Sequence, residues 1–251
     1  MNKTVLVTGA TAGIGKSTAE YFARNNWNVI VCGRRKERLF KLNQRLEKDD
    51  VKILPLAFDI SKRNEVDSAL KSIPDEFKKI DLLINNAGGA HGLDPFQNAS
   101  IDDWDAMIGS NLQGLLYISK PISNWMIENG KGHIINVSSI AGTQVYPNGN
   151  VYNAVKHACD ALTKAMRIDL LGTGVKVSSI SPGLVETEFS MVRFKGDKEK
   201  ADAVYQGYTP LSGEDLAESI YWMATRPAHV NIADIVIYPS DQASARDVNK
   251  V

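Results

Sequence analysis

The chain opens on the glycine-rich stretch Thr8-Gly9-Ala10-Thr11-Ala12-Gly13-Ile14-Gly15, which follows the short apolar run Thr4 to Val7. Glycines at such spacing let a strand turn sharply into a helix, and they let the backbone approach a phosphate group at the helix N-terminus. The pattern G-x-x-x-G-x-G differs from the general dinucleotide fingerprint G-x-G-x-x-G, yet it meets the same physical need. We therefore predict a nucleotide-binding turn between the first strand and the first helix.

Short runs rich in β-branched residues alternate with longer helical patterns along the rest of the chain. This alternation predicts an α/β fold with a Rossmann-like, doubly wound, mostly parallel sheet of about seven strands and helices on both faces. We expect the 251 residues to form a single domain, 1–251, without repeats or linkers. The predicted strands are Thr4 to Val7, Val29 to Val31, Val51 to Phe58, Leu82 to Ile84, His133 to Val137, Val175 to Ile180 and Ile235 to Tyr238.

Charge balance and cysteine content exclude several classes of protein. Lysine plus arginine and aspartate plus glutamate both total 29, so no overall field attracts nucleic acid or an anionic membrane. Cys32 and Cys159 lie in apolar stretches far apart in the sequence, which predicts buried thiols rather than a disulfide. No apolar run reaches the ~18 residues of a membrane helix, and a cleaved signal peptide would remove the glycine-rich turn. We expect a cytoplasmic protein that binds a small molecule, with no nucleic-acid or membrane partner.

A second set of residues has the chemistry needed to move a proton. Tyr152 and Lys156 are four residues apart in a predicted helix, Val151 to Leu171, so their side chains share one face. An adjacent cation favours the phenolate, which would lower the tyrosine pKa from its ordinary value near ~10 and make it a general acid or base. Ser139 follows the predicted strand His133 to Val137, at the edge where open α/β sheets bind ligands. Its hydroxyl is suited to donate to a substrate oxygen, although a turn or a helix cap also explains a serine here.

Together with the glycine-rich turn, the spacing of Ser139, Tyr152 and Lys156 resembles the active site of the short-chain dehydrogenase/reductase family. The resemblance covers essentially the whole chain and includes Asn85-Asn86-Ala87-Gly88 after a strand, Asn111 in the following helix and Pro182-Gly183 after the sixth strand. The catalytic tetrad of that family carries over to Asn111, Ser139, Tyr152 and Lys156. Taken alone, Asn111 is equally explained as a polar residue inside a helix.

The resemblance implies a specific division of roles. Hydride would pass between an alcohol and a nicotinamide while Tyr152 takes the proton of the alcohol. Ser139 would position the oxygen, Lys156 would lower the pKa of Tyr152 and hold the ribose, and Asn111 would help anchor a water relay behind Lys156. The alternative from another class is a catalytically silent NADP sensor, which would not need a proton-transfer group.

The end of the second predicted strand indicates which coenzyme binds. An acid is expected about 20 residues past the glycines where the coenzyme has a free ribose 2′-hydroxyl, whereas arginine accepts a 2′-phosphate. Here Gly33-Arg34-Arg35 has no acid, and guanidinium groups suit phosphate through paired donors. We predict NADP, although one of the two arginines could merely begin a charged surface helix. The residues that we expect at the coenzyme, several of them by resemblance alone, are Gly9, Thr11, Gly13, Ile14, Gly15, Arg34, Arg35, Asp59, Ile60, Asn86, Tyr152, Lys156, Pro182, Gly183, Val185 and Thr187.

Two other chemistries are disfavoured. Gly13-Ile14-Gly15-Lys16-Ser17 nearly completes the triphosphate loop G-x-x-x-x-G-K-[ST], but the first glycine would have to stand at Ala10, and the sequence has no convincing Asp-ended strand to hold magnesium. An NTPase or phosphotransferase is therefore disfavoured. We predict no metal site, because the spacing of metal ligands is missing from His91, His133, His157 and His229.

The segment from Pro182 to Gly213 is the least regular part of the chain, and we predict that residues 182–213 form a substrate loop. The alternative is a solvated loop with a short charged helix, Asp197 to Gln206. Phe189 to Asp197 and Pro227 to Ile232 resemble a subgroup of NADP-dependent dehydrogenases that act on 3-hydroxy acids, including serine and allo-threonine.

The subgroup resemblance implies a homotetramer in which the fourth and fifth helices pack against neighbouring subunits. It also draws attention to Arg193, which would either bind a substrate carboxylate or tie the loop to a neighbouring subunit. We expect Ser139, Tyr152 and Arg193 to contact the substrate. The alternative enzymes on the same scaffold are a 3-oxoacyl thioester reductase and a broad carbonyl reductase.

Overall fold

The computed structural model describes residues 2–48 and 50–251, and a seven-stranded sheet forms its centre. The strands are β1 (Thr4–Thr8), β2 (Asn28–Gly33), β3 (Ile53–Ala57), β4 (Leu82–Asn85), β5 (Gly132–Val137), β6 (Val175–Pro182) and β7 (Asp234–Ile237). They lie in the order β3-β2-β1-β4-β5-β6-β7, and every neighbouring pair is parallel. The chain therefore reverses its direction of winding between β3 and β4, which leaves a crevice at the carboxyl ends of β1 and β4.

Helices connect the strands and cover both faces of the sheet. They are α1 (Gly13–Arg24), α2 (Lys36–Leu46), α3 (Arg63–Lys71), α4 (Ile101–Ile108), α5 (Gly114–Glu128), α6 (Asn150–Asp169), α7 (Phe189–Arg193), α8 (Lys198–Ala203) and α9 (Gly213–Ala224). A π-helical segment, Gly109–Gln113, joins α4 to α5, so these two form one interrupted helix. None of the helices in the described part of the chain is long and apolar enough to cross a membrane.

The core consists of two apolar layers, one on each face of the sheet. Val5 and Val7 of β1 pack in one layer with Phe22 of α1. Leu6, between them, points to the other face and packs with Ile118 of α5. All five side chains are fully buried. Burial on both faces contributes roughly 1.5–3 kcal/mol for each such side chain, which explains why the strands are continuously apolar rather than alternating.

The predicted fold class and strand positions are confirmed, with small shifts of the boundaries. The third strand is Ile53–Ala57, shorter than the predicted run, and it tolerates Pro55 because it is an edge strand. The long helix that carries Tyr152 begins at Asn150 and ends at Asp169, close to the predicted range. Cys32 and Cys159 are free and buried, as expected.

The segment 182–213 is more regular than its sequence indicates. It contains α7, which the sequence pattern does not reveal because five residues are too short for a helical period. The charged helix of the alternative interpretation, Asp197 to Gln206, is present as the shorter α8. It begins after the cap residue Asp197, whose side chain accepts a hydrogen bond from the backbone of Lys200.

Candidate active site

The glycine-rich turn joins β1 to α1 at the carboxyl edge of the sheet. Gly9 has a φ of 68°, in the left-handed region that favours glycine. A Cβ on Gly15 would lie 2.5 Å from the carbonyl oxygen of Gly9, so a larger residue does not fit. From the end of β4, Asn86 supports the turn by donating from Nδ2 to the carbonyl oxygen of Thr8 at 2.9 Å. The turn therefore has the tight geometry that a phosphate-binding backbone requires.

The end of β2 brings two arginines to the edge of the same crevice. Arg34 lines the crevice, and Arg35 donates from Nε and Nη2 to Thr11 Oγ1 at 3.0 and 2.6 Å. Asp59, after β3, lies nearby: burial raises the pKa of its carboxyl group, but hydrogen bonds from Ser61 and the charge of Arg34 outweigh burial and hold that pKa below its ordinary value. Asp59 is therefore ionised at neutral pH and partly balances Arg34.

Ser139, Tyr152 and Lys156 come together at the carboxyl end of β5. Tyr152 and Lys156 lie one turn apart on α6, and both are buried. Lys156 Nζ lies 5.8 Å from the ring centroid of Tyr152 and donates to the carbonyl oxygen of Val137 at 3.1 Å. Ser139 Oγ accepts a hydrogen bond from the backbone of Ala141 at 3.1 Å. Ser139 thus caps a short 3₁₀ segment and also faces the crevice, so both interpretations of this serine apply.

The protonation of Tyr152 differs from the sequence expectation. Burial raises the pKa of Tyr152 above its ordinary value, and the charge of Arg193 is the largest effect that opposes the rise, followed by the Ser139 hydroxyl. Burial also lowers the pKa of Lys156. The expected lowering of the tyrosine pKa is not met in this structure, because removal of the phenol from water outweighs the charge of Arg193 and the hydrogen bond from Ser139.

Asn111 lies in the π-helical segment, behind the crevice rather than on its wall. Its Nδ2 donates to the carbonyl oxygens of Gly89 and Met107, both at 2.9 Å. Its Oδ1 is buried and has no hydrogen-bond partner among the described residues. A buried acceptor left without a partner in protein commonly binds an ordered water.

A continuous cavity of about 660 Å³ joins these features. Two of the predicted site residues do not line it: Gly15 lies beneath the turn, and Asn111 lies behind Gly88 and Gly89. The predicted residues that do line it are Gly9, Thr11, Gly13, Ile14, Arg34, Arg35, Asp59, Ile60, Asn86, Ser139, Tyr152, Lys156, Pro182, Gly183, Val185, Thr187 and Arg193.

Arg193 reaches the cavity from the end of α7. Its Nη2 donates to the hydroxyl of Tyr146 at 2.9 Å, and its Nε donates to the carbonyl oxygen of Gly92 at 3.3 Å. The backbone of Gly92 in turn donates to the carbonyl oxygen of Arg193 at 2.9 Å. Within its own chain, Arg193 therefore fastens the 182–213 segment to the loop after β4.

Sequence reasoning missed several residues of the cavity wall. Tyr146 and Phe189 surround the guanidinium of Arg193, and burial raises the pKa of Tyr146 to about 12 despite the opposing charge of that arginine. Glu188 lines the cavity and forms ion pairs with Arg35 and Arg38. The clue available in the sequence was the dense run of aromatic and charged residues from Glu188 to Phe194, which is unusual for a solvated loop.

Comparison with known proteins agrees with this geometry. A family model for short chain dehydrogenases matches residues 3–198. The NADP-dependent 3-hydroxy acid dehydrogenase YdfG of Salmonella typhi is 45% identical over 242 residues, which cover 96% of each chain. The serine 3-dehydrogenase of Agrobacterium fabrum is 40% identical over 245 residues, covering 98% of this chain and 97% of its own.

A solved structure extends the likeness to three dimensions. The closed form of a serine dehydrogenase complexed with NADP⁺ matches with a TM-score of 0.92 at 44% identity, covering 96% of this chain and 97% of that one. Sequence, fold and site geometry lead to the same conclusion: the chain belongs to the short-chain dehydrogenase family.

Proposed function

We propose that this protein is an NADP-dependent dehydrogenase that transfers hydride between a small 3-hydroxy acid, such as serine or allo-threonine, and the nicotinamide. One observation carries the proposal: a single continuous cavity is lined by Arg34 and the glycine-rich turn and also by Tyr152, Ser139 and Arg193. The similarity to dehydrogenases named for 3-hydroxy acids and for serine supports this substrate class.

The residues around the glycine-rich turn fit NADP. The backbone of the turn and the N-terminus of α1 would hold the pyrophosphate. Arg34 and Arg35 would bind the 2′-phosphate, because their guanidinium groups offer paired donors and the end of β2 has no acid that would repel it. Thr187 packs close over the turn, since a Cβ on Gly13 would lie 3.1 Å from its side chain. Bound here, NADP supplies the nicotinamide carbon that accepts or returns the hydride.

The protein residues would manage the proton and the substrate oxygen. Tyr152 exchanges the proton of the substrate hydroxyl, and Ser139 holds the oxygen beside it. Lys156 lies one turn further along α6, where it would hold the ribose of the coenzyme. The unpartnered Oδ1 of Asn111 fits a water that belongs to a proton relay behind Lys156.

Arg193 is suited to bind the carboxylate of the substrate. Its Nε and Nη2 are engaged by Gly92 and Tyr146, while Nη1 has no hydrogen-bond partner within residues 2–48 and 50–251. Two hydrogen bonds and three aromatic neighbours hold the guanidinium in one orientation, so little conformational freedom is lost when a carboxylate binds. A fixed donor of this kind sets the orientation of the acid as well as its affinity.

A panel of substrates tests the proposal. We expect NADPH formation from 3-hydroxy acids to exceed that from their methyl esters and from simple alcohols, and we expect NAD to be a poor substitute. Equal efficiency on an acid and its methyl ester would instead favour a broad carbonyl reductase. Preference for a thioester would favour a 3-oxoacyl thioester reductase, and coenzyme binding without any turnover would favour a sensor.

We also propose that the protein assembles as a homotetramer through the interrupted helix α4–α5 and through α6. Apolar side chains near these helices are exposed: Ile168 is 73% exposed and Leu171 is 85% exposed. Contact with another subunit would remove this surface from water. Light scattering after size-exclusion chromatography tests the assembly, and Ile168→Lys should shift the protein toward smaller species.

A further inference from the structure

Glu188 joins the segment 182–213 to the arginines at the end of β2. The residue directly precedes α7, and its carboxylate accepts hydrogen bonds from two guanidinium groups. Arg35 Nη1 donates to Oε2 at 2.8 Å, while Arg38 Nη1 donates to Oε1 at 2.7 Å and to Oε2 at 2.9 Å. We call this group of three residues the Glu188 clasp. Two of its members, Arg35 and Glu188, line the cavity.

The clasp and Thr11 together engage each nitrogen of the Arg35 guanidinium. Its Nε and Nη2 donate to Thr11 Oγ1, and its Nη1 donates to Glu188. Arg34, in contrast, makes no side-chain hydrogen bond within the described residues. Three of the five N–H donors of Arg35 are thus engaged, and a 2′-phosphate that pairs with its Nη1 competes with the carboxylate of Glu188. The carboxylate is the partner that repels an incoming phosphate.

Charge counting shows why the exchange is favourable. Arg34, Arg35 and Arg38 carry three positive charges, and Glu188 and Asp59 carry two negative charges. Burial raises the pKa of Glu188, but hydrogen bonds from Arg35 and Arg38 outweigh burial and hold that pKa below its ordinary value, so the carboxylate is ionised at neutral pH. Once Glu188 is displaced, a net two positive charges remain beside Asp59, and a 2′-phosphate brings nearly two negative ones. The half-exposed ion pairs are also individually weak, so an anion of higher charge can compete with the carboxylate.

We propose that Glu188 is an internal counter-anion that occupies the arginine site until the 2′-phosphate of the coenzyme displaces it from Arg35. Glu188 thereby lowers the affinity for phosphate-bearing coenzyme and links coenzyme binding to the position of α7, which also carries Arg193. This inference rests on the proposed NADP specificity. It assigns Glu188 a role in setting coenzyme affinity and leaves the chemical step to Tyr152.

The test is a pair of binding measurements by calorimetry at low ionic strength. The probes are adenosine 2′,5′-bisphosphate, which carries the 2′-phosphate, and ADP, which does not. We expect Glu188→Gln to bind the bisphosphate about threefold to tenfold more tightly than the unmodified protein, with ADP affinity unchanged within about twofold. The gain should shrink as salt is raised, because screening weakens the repulsion that the variant removes.

Glu186→Gln is the matched control, since it removes the same charge from the same segment at an exposed position outside the cavity wall. It should leave both affinities unchanged. If the unmodified protein prefers the bisphosphate and Glu188→Gln binds it no more tightly, the counter-anion role is overturned while NADP specificity stands. If the unmodified protein does not distinguish the two probes, NADP specificity fails and the counter-anion role fails with it.

Discussion

The guanidinium carbon of Arg193 lies 5.5 Å from the ring centroid of Tyr152. Lys156, which lies on the same helix as Tyr152, has its Nζ 5.8 Å from the centroid of the same ring. Two cations therefore lie beside the proposed proton-transfer residue, Lys156 from α6 and Arg193 from the segment 182–213, which contains α7. Since the charge of Arg193 opposes the effect of burial on the pKa of Tyr152, the position of the α7 segment influences the acidity of the phenol.

Tyr152→Phe should abolish most turnover while preserving the fold and coenzyme affinity. The change removes only the hydroxyl that exchanges the proton, so we expect kcat to fall by at least the ~10²- to 10⁴-fold ascribed to general acid–base catalysis. Steady-state kinetics and coenzyme titration measure the two effects separately. Tyr21→Phe, on α1 outside the cavity wall, is the matched control. A Tyr152→Phe enzyme with most of its activity intact would refute the assignment.

Arg193→Met should shift the pH profile of alcohol oxidation toward higher pH. Oxidation requires the phenolate, so its rate rises with pH through the pKa of Tyr152. Removing a cation that favours the phenolate raises that pKa, and the rising limb moves in the same direction. Arg193→Lys retains a charge and should shift the limb less. The pH profile of kcat/KM should be measured with an uncharged alcohol, so that loss of carboxylate binding does not contribute. A rising limb at the same pH in Arg193→Met and in the unmodified enzyme would contradict the influence of Arg193 on the pKa of Tyr152.

The double variant Arg34→Gln and Arg35→Gln should weaken NADP binding far more than NAD binding. Each lost charge-assisted hydrogen bond to the 2′-phosphate typically costs ~1.5 to 3 kcal/mol, or about tenfold to a hundredfold in affinity. Fluorescence titration with both coenzymes measures the difference. Lys36→Gln, an exposed neighbour, is the control for loss of positive charge. An equal loss of affinity for NADP and for NAD would show that the two arginines do not bind the 2′-phosphate.

His133 should make the protein sensitive to acid. It is buried in β5, its Nε2 lies 2.8 Å from Ser178 Oγ, and burial lowers its pKa from 6.5 to about 3. The unfolded chain therefore binds more protons between these values, and the free energy of unfolding falls by up to about 1.4 kcal/mol for each pH unit below 6.5. Urea unfolding should be measured from pH 7 to pH 4. Over this range the free energy of unfolding should fall less for His133→Gln than for the exposed control His229→Gln. Identical slopes would contradict this source of acid sensitivity.

The sequence alone determined the sheet, the glycine-rich turn and the positions of Tyr152 and Lys156. These features depend on short-range rules: a continuous apolar run buries both faces of a strand, glycine permits the backbone of a tight turn, and residues four apart share a helical face. The same rules located Arg34 and Arg35 at the end of β2. They predict which groups are present at the carboxyl edge of the sheet, but not the partners of those groups.

Only the tertiary structure decided how the cavity is closed and charged. Arg193 meets Tyr146 and Gly92, and Glu188 meets Arg35, although each pair is far apart in the chain. The helix α7 that positions them is too short to leave a periodic pattern. The pKa of Tyr152 was misjudged for the same reason: it depends on burial by distant segments, which spacing along one helix does not reveal. Local geometry is encoded by neighbours in sequence, whereas desolvation and ion pairing are set by whichever segments packing brings together.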